Sequence, residues 1–134
     1  MTSSVAAMLA QLKNAALARK SFVEMTSSKF RERLGHLLVK ESYLKGAHQF
    51  KKGNFTYLRL DLPEYGEGRL EWTPLRLMHI ISKPGQRIYL SSAAIAKLID
   101  KGRRKIIIST SRGLMSVLEA KKRKLGGEAI CELG

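Results

Sequence analysis

The chain has 134 residues, 44% of them apolar, which is enough for one compact domain or for two small lobes sharing a boundary. Its 25 Lys and Arg stand against 11 Asp and Glu, and the self-repulsion of the resulting +14 points to a polyanionic partner, nucleic acid first and an anionic membrane surface second. One cysteine, Cys131, allows no internal disulfide and no cysteine metal site, in keeping with a reducing compartment, and no apolar run approaches the roughly 18 residues of a membrane span.

The first 23 residues hold Lys13, Arg19 and Lys20 with no acid before Glu24, and their many Ser and Ala also fit an organellar transit peptide. The apolar spacing argues for a structural helix instead. Val5, Met8, Leu9, Leu12 and Ala16 recur at helical intervals on one face, with Ser3 or Ser4 as the expected cap and a mature start expected near Met1.

A short strand is expected around Phe22 to Met25, then a second helix capped by Ser27 or Ser28 with Phe30, Leu34, Leu37 and Leu38 as its apolar stripe. Lys29, Arg31, Glu32, Arg33 and Lys40 fall on its other faces, as a solvated surface would. Phe55 to Leu62 alternates, with Leu58, Leu60 and Leu62 on one side and Tyr57, Arg59 and Asp61 on the other, the period of a half-buried strand. The stretch PEYGEGRLEWTP (63–74) turns the chain and is expected to divide the lobes. Across residues 57–72, Asp61, Glu64, Glu67 and Glu71 outnumber Arg59 and Arg69, so this hairpin should face away from a phosphate backbone.

RLMHIISKPGQRIY (76–89) reads as a strand, a Pro-Gly turn and a second strand, and SSAAIAKLIDKG (91–102) as a short helix with a Ser cap and a terminating Gly102. Ile106, Ile107 and Ile108 form a β-branched strand. Ser116-Val117-Leu118-Glu119 is a capping box opening a helix expected to end at Gly126, and Glu128 to Leu133 reads as a last strand.

Ser109, Thr110, Ser111, Arg112 and Gly113 are therefore expected in a strand-to-helix loop whose backbone N–H groups favour phosphate oxygens. The competing reading is a hydroxyl-rich turn that satisfies only its own backbone. Nine basic side chains lie between Lys101 and Lys124 against Glu119 alone, with Lys121 and Lys122 on the basic helix as candidate phosphate contacts. His36, His48 and His79 show no metal spacing and no pairing with a serine or acid, and no nucleotide-binding glycine pattern is present. These residues give no metal or cofactor site, and a nucleophilic serine is disfavoured. Cys131 reads as a small buried hydrophobe.

The run IISTSRGLMSVLEAK (107–121) closely resembles the signature of the family of the eighth protein of the small ribosomal subunit, bacterial and organellar type. AAMLAQLKNA, SSKFRERLGHLLVKESYL, ISKPGQRIY and the closing GGE (126–128) resemble further segments of the family across nearly the whole chain. There are departures: Arg104, Thr26 and Ser42 stand where the family usually has a small or acidic residue, a proline and a glycine, and the N-terminal acids are missing. They suggest a divergent member and set an organellar, mitochondrial ribosome beside the bacterial cytoplasm, the organelle slightly favoured.

The resemblance implies an α+β protein of two small lobes. The N-terminal lobe (1–68) would be α-β-α-β-β, and the C-terminal lobe (69–134) mostly antiparallel β with two short helices. It also implies a non-catalytic constituent of the ribosome that binds the central domain of small-subunit rRNA directly and supports assembly. Its neighbours would be other small-subunit proteins, the fifth protein of the subunit among them. Carried over by position, the RNA contacts are Ser109, Thr110, Ser111 and Gly113 in the loop, Gly126, Gly127 and Glu128 in the closing turn, Tyr89 beside it, and Asn14, Ser28 and Lys29 in the N-terminal lobe. The alternative is an RNA- or DNA-binding regulator outside the ribosome. A membrane partner is disfavoured, because no helix combines a basic face with a broad apolar one.

Overall fold

The helical spacing of the first segment produces α1 (Thr2–Leu17), which buries Val5, Met8, Leu9, Leu12, Ala15 and Ala16. The helix begins ahead of Ser3 and Ser4, so neither serine is the cap that the sequence suggested. It ends without glycine. Arg19 takes a left-handed φ of 57° and the Lys20 N–H donates to the Ala15 carbonyl at 2.9 Å, closing the terminal turn at a steric cost of about 1–2 kcal/mol.

The computed structural model describes residues 2–63, 78–83 and 85–133, which fall into two compact units, the first within 3–63 and the second within 78–133. The expected lobe boundary at 68/69 and the acidic hairpin beyond Pro63 lie outside the described residues.

In the first unit, β1 (Phe22–Thr26) leads into α2 (Lys29–Lys40), whose Ser28 side chain accepts the Arg31 N–H at 3.2 Å as N-cap. β2 (Gly46–Lys52) and β3 (Phe55–Asp61) complete an antiparallel sheet in the order β1-β3-β2. Val23, Met25, Leu58 and Leu60 face α2 and are buried. The helix comes close because Gly35 has no side chain: a Cβ there would stand 2.9 Å from Leu60 Cδ2. The α-β-α-β-β order is the one expected.

The second unit is antiparallel throughout: β4 (His79–Ile80), β5 (Tyr89–Leu90), α3 (Ser92–Asp100), β6 (Ile106–Thr110), β7 (Gly113–Ser116), α4 (Val117–Lys122) and β8 (Gly127–Glu132). The fold class is α+β, as the sequence indicated. The main path of the sheet is β4-β8-β6-β7, and β5 also pairs with β8. α3 and α4 cover one face, where Ile95, Ile99, Ile106, Ile108, Met115, Val117, Ala120 and Ala129 form the core. Both helices start as read, with Ser91 and Ser116 accepting from Ala94 N and Glu119 N.

Two expectations fail here. The hydroxyl segment does not lead straight into a helix, since β7 intervenes and turns it into a β-hairpin. α4 stops at Lys122, not at Gly126, because Lys124 takes the left-handed φ of 56° that ends it. Cys131 is buried in β8 and burial pushes its thiol up to about 12, which suits an inert core residue. Among the described residues no helix is long and apolar enough to cross a membrane.

Leu12 is fully buried on α1. Leu12→Ala is expected to lower unfolding free energy by about 2–5 kcal/mol, read from urea denaturation. A loss under half a unit would mean that the α1 face is not part of the core.

Candidate nucleic-acid interface

The hydroxyl segment is held by its own turn. Thr110 and Gly113 pair across the β6–β7 hairpin, with Ser111 and Arg112 exposed at its tip. Neither tip residue has a positive φ, so the backbone adjustment that a tight hairpin needs falls on Gly113, at φ 110°. The Thr110 hydroxyl donates to the Gly113 carbonyl at 2.9 Å and accepts the Arg112 N–H at 3.1 Å. Thr110 is thus spent on the turn, as the competing reading of the segment held. Ser109 and Ser111 are different: among the described residues their hydroxyls make no hydrogen bond, and both are at least partly exposed.

Pairing across three strands assembles a row. Tyr89 of β5 lies opposite Glu128 of β8, Glu128 opposite Ser109 of β6, and Ser109 opposite Leu114 of β7. Residues directly opposite share a face. Since Ile108, Ala129 and Met115 in the neighbouring row face the helices, Tyr89, Glu128 and Ser109 face away from them. Tyr89 is 66% exposed at one end. In the middle, Glu128 Oε2 is buried and has no hydrogen-bond partner among the described residues, an acceptor without a donor.

Gly126 and Gly127 serve the backbone. A Cβ on Gly126 would strike the Leu90 carbonyl oxygen, and one on Gly127 the Ser109 carbonyl oxygen, both main-chain atoms that cannot swing aside. The closing turn therefore brings β5, β8 and β6 close enough to align the row.

A residue that sequence reasoning passed over positions Tyr89. Ser82 is buried, and its hydroxyl donates to the Ala129 carbonyl in a short bond while accepting the Ile88 N–H at 3.0 Å. It ties the segment entering β5 to β8. The run ISKPGQRIY contains it, but only the fold shows that this serine is buried.

The remaining predicted contacts lie elsewhere. Lys121 and Lys122 are exposed at the end of α4, in the helical layer on the far side of the sheet from the Tyr89–Ser109 row. Asn14 on α1, Ser28 at the α2 cap and Lys29 in its first turn belong to the other unit; Asn14 and Lys29 are exposed, and Ser28 has a structural task as cap. Of the nine basic residues from 101 to 124, Arg103 is paired with Glu132 at 2.7 Å and Arg123 with Glu119 at 2.9 Å. The other seven are exposed and have no acidic partner among the described residues.

The fold and charge define a class: a small basic α+β protein with an aromatic ring, a carboxylate and a serine hydroxyl in one row on a sheet face. Comparison with known proteins narrows it. The sequence model of the family described as Ribosomal protein S8 matches residues 3–133. The chain is 37% identical over 131 residues to the small ribosomal subunit protein uS8 of Clostridium novyi, covering 98% of this chain and 96% of that protein. The uS8 proteins of Clostridium acetobutylicum and Persephonella marina are 38% identical over 131 residues and 36% over 134. The chain belongs to the ribosomal protein S8 family, a family of ribosomal proteins and not of enzymes. These relatives are bacterial and give the organellar preference no support.

Ser82→Ala should cost about 1–3 kcal/mol by stranding the Ile88 N–H and Ala129 carbonyl, and hydrogen exchange at Tyr89 should rise more than in α3. Uniform protection across both would remove Ser82 from its positioning role.

The Arg103–Glu132 pair gives a pH signature. Hydrogen bonding from Arg103 holds the Glu132 carboxyl below the usual carboxylate range, against the opposing effect of burial. A carboxyl depressed in the folded state stabilises above the unfolded value of about 4.3, and that stability is lost as pH falls through the folded value. Because both side chains are partly exposed, Arg103→Met should cost no more than about 1 kcal/mol at pH 7. The difference from the parent should shrink in acid, as measured by thermal melts across pH.

Proposed function

We propose that this protein binds small-subunit rRNA directly through its second unit and, as the family resemblance implies, that the site lies in the central domain and the contact supports subunit assembly. Membership of the family gives it a structural ribosomal role. The observation that carries the reading of the site is the row Tyr89–Glu128–Ser109, with an unused hydroxyl at one end and an unpaired carboxylate oxygen in its middle.

Its chemistry suits RNA. A-form RNA presents a wide, shallow minor groove lined with 2′-hydroxyls, which serine can both donate to and accept from. A carboxylate repels phosphate but accepts from a 2′-hydroxyl or a base amino group, so Glu128 selects for sugar and base edges. Tyr89 supplies a face on which an unpaired base can stack. The seven cations of residues 101–124 that have no acidic partner among the described residues provide phosphate attraction without sequence information. The neighbouring proteins of the small subunit, the fifth among them, are the protein partners in this reading.

The two groups should fail differently. Ser109→Ala with Ser111→Ala should weaken binding of a cognate rRNA fragment by about 1–3 kcal/mol, with non-specific binding and its salt dependence unchanged. Lys121→Ala with Lys122→Ala should weaken specific and non-specific RNA alike and make the log–log salt slope shallower by about one or two units. Matched melting temperatures are the control. Full-strength binding by the serine variant would reduce the hairpin to a turn, and failure to co-sediment with the small subunit at moderate salt would remove the ribosomal reading.

A further inference from the structure

In the first unit the three-stranded sheet has one face under α2 and the opposite face carries aromatic side chains. Cross-strand register places Phe55 opposite Lys52, Tyr57 between Thr26 and Phe50, Arg59 between Glu24 and His48, and Asp61 between Phe22 and Gly46. Three of the four phenylalanines are therefore on this face. Phe55 is 65% exposed and Phe22 39%. Phe50 and Tyr57 stack with centroids 5.6 Å apart and planes at 20°, and the Arg59 guanidinium lies 4.1 Å over the Phe22 ring. Single exposed apolar residues need no explanation, but a contiguous aromatic strip does.

The charges around the strip select the partner. At one end a cleft of about 820 Å³ is lined by Arg19, Lys45, His48, Arg59 and Asp61. At the other, a groove of about 340 Å³ is bordered by Phe50, Tyr57, Lys52 and Glu24. Asp61 is already held by Arg59 Nε at 3.0 Å and lies 3.1 Å from His48 Nε2, which leaves the basic character of the cleft dominant. Lysine is depleted in protein–protein interfaces, whereas cations flanking stacked aromatics suit a nucleic-acid strand.

We propose that this open face of the β1-β3-β2 sheet is a stacking platform for a short single-stranded RNA segment, with bases on Phe55 and the Phe50–Tyr57 pair and phosphates at the Arg19–Lys45–Arg59 cleft. β3 runs about 20 Å across the face, a length on which a sheet can stack two or three bases. Sequence preference is weak here, because every base offers a π face. This second RNA contact is separate from the hydroxyl row and does not depend on it.

The test uses the full chain and a dye-labelled oligouridylate of about ten nucleotides. Phe55→Ala removes an exposed ring and should leave the melting temperature unchanged, while lowering oligouridylate affinity at least about fivefold with an unaltered salt slope. Phe55→Trp should restore the affinity. Photocrosslinking with 5-iodouridine should yield adducts on the peptides carrying Phe55 and Tyr57. Equal affinity of Phe55→Ala and parent, or adducts confined to residues 101–124, would overturn the proposal. So would a Phe55→Ala variant that keeps the oligonucleotide but loses another small-subunit protein, which would make the face a protein contact. Because Phe55→Ala should still bind the rRNA fragment read by the second unit, failure here and failure of the serine test are distinguishable.

Discussion

The close approach of three backbones at Gly126 and Gly127 governs the second unit. β8 pairs with β4, β5 and β6, and where β5 and β6 meet it no side chain fits between the chains. A methyl group at Gly127 would push the Ser109 carbonyl away and with it the alignment of Tyr89, Glu128 and Ser109. The two glycines act by creating a register, and that register creates the polar row. Chemistry carried by hydroxyl, carboxylate and phenol thus rests on two residues with no side chain.

Around that point the polar groups divide between those spent on the fold and those without a partner among the described residues. Thr110 gives both its donor and an acceptor to the hairpin, and Ser82 does the same for the β5 approach. Ser109, Ser111 and Glu128 Oε2 keep theirs unused among the described residues. Neighbouring hydroxyls in one short segment therefore have different tasks, and composition cannot separate them. An unpaired buried acceptor costs about 1–3 kcal/mol, and the Glu128 carboxylate carries one such oxygen among the described residues.

The local features were legible in the sequence. Helix faces, the serine caps of α2, α3 and α4 and the alternation of β3 follow from spacing within a few residues and are present, with Ser28 chosen over Ser27, whereas the Ser3 or Ser4 cap of α1 is not formed. The candidate residues were also named, and the structure gathers Tyr89, Glu128 and Ser109 as neighbours. What escaped depends on contacts distant in sequence. β7 is four residues long, too short to show a period, and only its pairing with β6 makes it a strand. Gly126 resembles a helix stop in sequence, but it lies where a side chain would strike the Leu90 carbonyl, and it is the left-handed Lys124 that ends α4. Ser82 was invisible as a positioning residue for the same reason, since its partners Ile88 and Ala129 meet only in the folded sheet.

The separation of the α4 lysines from the Tyr89–Ser109 row by the thickness of the sheet has an evolutionary consequence. Electrostatic attraction depends on the ionic strength of the compartment, whereas hydroxyl and carboxylate contacts depend on the shape of the RNA. Carried on opposite layers, with no side chain common to both, the two can drift on separate clocks. A lineage moving between salinities can add or shed lysines on the helix without altering the Tyr89–Glu128–Ser109 row of the sheet.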